Sequence, residues 1–146
     1  MSDNRNGDSW GRDISDEEAA RLEQANLQLQ IRHRQEQLKQ AITHAQAAEL
    51  LGASPTTVAR WITQGRLVAL DDNPGSRLPV WQFTSDTKHP VLPDVDKLLA
   101  AFPGGPVALS RWMVRPNDNF HGRTPAQQMT RDSALVLAIV ATLAAT

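Results

Sequence analysis

The chain reads as mainly α-helical with one small β-hairpin, and three observations predict this. A polar, proline-free stretch follows a capping signal at Ser15. Residues 44–63 have the spacing of two short helices joined by a tight turn. Beyond residue 91, short apolar runs alternate with Pro-Gly and Pro-Asn loops. Strand formers bounded by turn residues gather between residues 66 and 83. At 146 residues there is room for one or two small domains. The expected organisation is a tail at 1–14, a long helix at 15–40, a helix–turn–helix–hairpin unit at 41–90 and a helical domain at 91–146.

Residues 1–14 are Asn, Asp, Gly, Ser and Arg around Trp10, a composition expected to stay disordered until bound. Ser15 with Glu18 three residues on is a capping signal, and one helix is expected to run to about Gln40. Its apolar positions Leu27, Ile31, Leu38 and Ile42 step by four, seven and four. Ala20 and Gln24 precede this narrow heptad-type seam, and Arg34 interrupts it. Leu22, Ala25 and Leu29 form a second stripe. The helix serves either as a two-stranded or short antiparallel coiled coil that dimerises the protein, or as an amphipathic helix packed on its own domain.

The phrase HAQAAELLGASPTTVARWIT at 44–63 supplies each part of a helix-turn-helix. Ala48 lets two helices approach, Gly52 takes the positive φ of the turn, and Val58 points back to the core. Thr43 caps the first helix; Ser54-Pro55 opens the second as cap and first-turn proline. Ala47, Leu51, Ala53, Val58 and Trp61 are expected to form one cluster. Removing them leaves Thr56, Thr57, Ala59, Arg60 and Thr63 as the outward face. An arginine reads guanine through two hydrogen bonds, threonine offers a hydroxyl or a methyl, and alanine leaves room for a thymine methyl. No acidic residue lies between Leu50 and Leu70, as suits a surface that approaches phosphates.

Gly65 ends the second helix. Arg66–Leu70 and Leu78–Phe83 are expected to be strands around the turn-rich Asp71–Ser76, which makes a wing. Arg66 and Arg77, near the strand ends, are candidate phosphate contacts; Asp71 and Asp72 argue against deep insertion of the tip. With AAELLGASPTTVARWITQGRL followed by a hairpin, residues 42–83 resemble the small winged DNA-binding domains of the MerR and excisionase type.

After a polar linker at 84–90, helices are expected over Val95–Phe102, Val107–Val114, from Pro125 to about Met129 with Thr124 as cap, and Asp132–Leu143. The last, ALVLAIVATLAA, is too short to span a bilayer and too apolar to lie bare, so the chain's own core or a partner must cover it. Trp112 and Phe120 are expected in the core. The loop around Pro116 and Gly122 exposes Asn117, Asp118, Asn119, His121 and Arg123 as a polar contact surface. Arg111 and Arg115, four apart on one helix face, either pair with acidic groups of a partner or lie solvated. Through Trp112, Pro116-Asn117, Phe120, Gly122, Thr124-Pro125 and Met129, residues 92–146 are similar to the toxin-binding domain of the Xre/MbcA/ParS antitoxin family. That resemblance implies an antitoxin that occludes a RES-type, NAD-consuming toxin and represses its own operon. This chain's winged unit differs from the all-helical Xre type.

Composition limits the other readings. Without cysteine there is neither a disulfide nor a thiolate metal site, and His33, His44, His89 and His121 lack metal-ligand spacing. No nucleophile–base pair, carboxylate pair or phosphate-cradling glycine loop is evident, so neither an enzyme nor a cofactor is expected. The net charge of −1 leaves DNA contact to locally placed arginines and to two copies of the chain. No membrane span and no signal-peptide core are present, so a cytoplasmic protein is expected. The expected partners are an inverted-repeat DNA operator, a cognate toxin and a second copy. The alternative is a plain winged regulator or excisionase-like architectural protein with no toxin partner. The two halves are expected to act independently, so that deleting residues 92–146 leaves half-site recognition intact but abolishes toxin neutralisation.

Overall fold

The computed structural model describes residues 15–145; the expected disordered tail at 1–14 lies outside them. Two compact units divide at His33/Arg34. The first is the body of helix α1 (Asp16–Leu38), opened by Ser15, whose Oγ accepts the Glu18 backbone N–H at 3.0 Å. No residue of α1 is buried.

The second unit takes in the end of α1 and continues with strand β1 (Ala41–Ile42), α2 (His44–Leu51) and α3 (Pro55–Thr63). Strands β2 (Leu70–Asp72) and β3 (Gly75–Pro79) form the wing. Next come a 3₁₀ turn at Val80–Gln82, α4 (Val95–Ala101), α5 (Pro106–Met113), a second 3₁₀ turn at Asp118–Phe120, and α6 (Pro125–Ala145). The three strands are antiparallel in the order β1-β3-β2, with Leu70 opposite Arg77, Asp72 opposite Gly75, and Ile42 opposite Leu78. The segment before α2 therefore closes the wing as a third strand, a pairing that two residues of local sequence do not announce.

The wing corrects the strands expected at 66–70 and 78–83. Pairing begins only at Leu70 and ends at Pro79, after which the chain turns inward. Two side chains explain the shift. Pro79 contributes no N–H to the ladder, whose last bond runs from the Val80 N–H to the Gln40 carbonyl at 2.9 Å. The fully buried Gln82 then takes the place of a neighbouring strand for the segment before β2. Its Oε1 accepts the Val68 N–H at 2.8 Å, and its Nε2 donates to the Val68 carbonyl at 2.8 Å and the Pro79 carbonyl at 3.1 Å. A buried amide is costly unless both ends are satisfied, and here both are.

One hydrophobic cluster joins Ala47, Ala48, Val58, Leu67 and Leu78 under α2 and α3, with Leu51 and Trp61 partly buried against it. A larger cluster runs from Val68 and Trp81 through Leu92, Val95, Leu98, Leu109, Met113 and Phe120 to Met129, Val136 and Val140. Residues from both sides of the linker thus share a core. Buried Trp81 donates its indole N–H to the buried Ser110 Oγ at 3.0 Å, a polar tie inside that seam.

Helix α6 is two helices end to end. Asp132 departs from helical geometry (φ −162°, ψ 87°), and its carboxylate accepts the Leu135 N–H at 3.2 Å, capping the second half. The first half opens with a reciprocal cap between Thr124 and Gln127 at 2.9 and 3.1 Å. Both starts lie where the sequence signals place them. In the second half Val136 and Val140 are buried, while Leu135 stays exposed. The chain's own core therefore covers only one face of the apolar run. Among the described residues no helix is long and apolar enough to cross a membrane.

Candidate nucleic-acid interface and partner surface

The helix-turn-helix is held by local hydrogen bonds that its residue types dictate. The Thr43 hydroxyl accepts the Gln46 N–H at 3.1 Å, and the Gln46 side chain accepts the Thr43 N–H at 2.9 Å. Gly52 ends α2 at φ 63°, and Ala53 N–H returns to the Ala48 carbonyl at 2.9 Å. Ser54 caps α3 by accepting the Thr57 N–H at 3.2 Å, with Pro55 in the first turn. His44, at the start of α2, is tied to the wing by a 2.9 Å contact between its Nε2 and Ser76 Oγ.

With Val58 turned to the core, Thr56, Arg60 and Thr63 form an exposed stripe on α3, and Ala59 lies beside it half-buried. The other expected contacts differ in how free they are. The Thr57 hydroxyl lies 3.0 Å from Ser54 Oγ, so it belongs to the cap. The Thr63 hydroxyl donates to the Ala59 carbonyl at 3.1 Å and presents its methyl instead. Arg66 stacks over Trp61, its guanidinium carbon 5.4 Å from the ring centroid. That contact fixes a cation beside the end of α3. Arg77 binds Asp72 Oδ2 at 2.9 Å across the wing, with both side chains more than two-fifths exposed. An exposed pair of this kind is worth about 0–1 kcal/mol, so phosphate competes for the arginine at little cost.

The second surface lies in the C-terminal region. Asn117 is the hub of its loop: its side chain accepts the Asn119 N–H at 2.8 Å, its N–H donates to the Arg123 carbonyl, and its carbonyl accepts from Gly122. This asparagine shapes the loop more than it faces outward. Asp118, Asn119 and His121 are exposed, and His121 sits at φ 56°, which carries the chain round to Gly122. Arg111 is half-buried and Arg115 exposed. Beneath the loop Phe120 is fully buried, edge-on to Trp112 at 6.3 Å, and Trp112 in turn meets Phe102 at 5.7 Å. Arg123 donates to Gln128 Oε1 at 2.9 Å. It also lines an open cleft of about 580 Å³ with Trp81, Phe83, Gln127 and Arg131. Sequence reasoning missed Arg131 and Gln127, because only the packing of residues 81–85 against α6 makes them part of a concave surface. Among the described residues no cluster of His, Asp and Glu could hold a metal ion.

Comparison with known proteins agrees with this division of surfaces. Residues 41–86 match the family model of a helix-turn-helix domain. Residues 97–143 match that of the antitoxin Xre/MbcA/ParS C-terminal toxin-binding domain. The NMR structure of Rv2175c is similar in fold, with a TM-score of 0.58 and 21% identity over 71% of this chain and 80% of that one. No curated protein matches the chain. Both matched domains are of non-enzymatic kinds, and the chain joins a segment similar to a helix-turn-helix domain to one similar to the Xre/MbcA/ParS toxin-binding domain.

Proposed function

We propose that the chain is the antitoxin of a type II toxin–antitoxin pair, a cytoplasmic homodimer that represses its own operon and neutralises a RES-type, NAD-consuming toxin by direct binding. The observation that carries this reading is the fusion of a reading helix and a toxin-binding domain through one core, which runs from Val68 and Trp81 to Val136 and Val140. Thr56, Ala59, Arg60 and the methyl of Thr63 read an inverted-repeat operator, while Thr57 sets the start of the helix. Arg66 and Arg77 hold phosphates on either side. Toxin contact comes from Arg111, Arg115, Asp118, Asn119, His121 and Arg123 around the loop that Asn117 shapes, and from the exposed side of α6 for apolar contact.

Coexpression with the neighbouring open reading frame, one partner tagged, followed by an NAD-consumption assay on the purified complex, tests this reading. The expected result is a stable complex in which NAD turnover is suppressed and returns when the toxin is freed. A chain that binds its promoter yet neither copurifies with nor silences the neighbour would be a plain winged regulator.

A further inference from the structure

Helix α1 spans 23 residues, none buried, with Leu22, Leu27, Leu29 and Ile31 between 41% and 57% exposed. At about 100° per residue, Ala20, Gln24, Leu27, Ile31, Arg34 and Leu38 fall on one seam. Its charges are segregated along its length. Asp16, Glu17, Glu18 and Glu23 oppose only Arg21 in the first half; Arg32, Arg34 and Lys39 oppose only Glu36 in the second half and just beyond. A polar helix of this kind draws little stability from itself and needs a covered face.

We propose that α1 pairs with the same helix of a second copy, antiparallel, about a two-fold axis near residue 29. This deepens the homodimer reading above and rests on it. In that register Leu27 meets the partner's Ile31, Ala20 meets the partner's Leu38, and Gln24 meets the partner's Arg34. The acidic start of each helix then lies along the basic end of the other, and the helix dipoles oppose. Parallel pairing is disfavoured by the same residues. It stacks Arg34 on the partner's Arg34 at the seam and brings the two acidic starts together, with no acceptor for either guanidinium. The amide of Gln24 supplies that acceptor only in the antiparallel register. Small Ala20 against large Leu38 also fills each end layer evenly.

The chain contains no cysteine, so introduced thiols report cleanly. Full-length A20C, full-length L38C and an equimolar mixture refolded together would be oxidised and resolved without reductant. Light scattering on the unmodified chain would run alongside. The expected result is a covalent dimer as the main product of the mixture and only traces from either variant alone, because a disulfide forms only between closely apposed Cα atoms. Full-length I31D should scatter as a monomer with unchanged near-UV circular dichroism. Efficient cross-linking of A20C alone would mean parallel helices and overturn the proposal. A dimer by light scattering with no cross-link in the mixture would also overturn it, while leaving the homodimer reading intact. A monomeric unmodified chain would defeat both.

Discussion

Gly52 sits at φ 63° with nothing within 4 Å of where a Cβ would lie, so backbone geometry and not crowding requires glycine there. G52A should therefore cost about 1 kcal/mol of stability, read as a lower urea midpoint at unchanged slope. Arg60 is the opposite case: its side chain is exposed and makes no hydrogen bond or ion pair among the described residues. R60A is expected to leave the unfolding curve unchanged and to weaken operator binding by about 1–3 kcal/mol, with relaxed preference at one position in each half-site. Fluorescence anisotropy across single-base operator variants would check it; a uniform loss at every variant would reassign Arg60 to phosphate contact. Gln82 shows how a polar residue can matter more than its apolar neighbours. Q82L would orphan the Val68 N–H and carbonyl inside the core, at about 1–3 kcal/mol for each group. Chemical denaturation should show that loss, far beyond that of an exposed substitution such as E49A on α2.

At the scale of elements, the second half of α6 depends on the Asp132 cap. D132A should remove about 1 kcal/mol, and D132N should restore most of it, since asparagine caps nearly as well as aspartate. Caps of this kind were legible in advance because they are local. Thr43, Ser54 and Thr124 each act within three residues of themselves and stand at helix starts in the structure, whereas Asp132, expected only as the first residue of the last helix, also caps it. The strands were read less well for the converse reason. Ile42 pairs with Leu78 and Val68 is held by Gln82, partners whose identity depends on how distant segments meet. The candidate contacts divide the same way. Arg60 is legible from helical period, whereas the commitments of Thr57 to a cap, Thr63 to a carbonyl and Arg77 to Asp72 are set by the folded geometry.

For the whole molecule, the shared core bears on how the two activities can be separated. Independent folding would let a chain cut at residue 91 keep its helix-turn-helix. In the structure, however, Val68 and Trp81 are buried against residues from α4, α5 and α6, and the Trp81 indole donates to Ser110. Truncation there would expose both apolar side chains and leave the indole N–H without its acceptor. Burial of a large apolar side chain is worth about 1.5–3 kcal/mol, so losing two of them is a large fraction of a small domain's stability. The truncated chain should therefore lose operator binding together with toxin binding, a different outcome from that expected of independent halves. Point variants on the exposed surfaces, R60A for DNA and N119A with R115A for toxin, should instead separate the two activities without unfolding either. The full chain should unfold from residue 41 onward in one transition, with coincident midpoints by near-UV dichroism and by loss of operator binding. Two resolved transitions would show that the seam at Val68 and Trp81 contributes too little to couple the halves. The folded helix-turn-helix would then stand without its C-terminal neighbour.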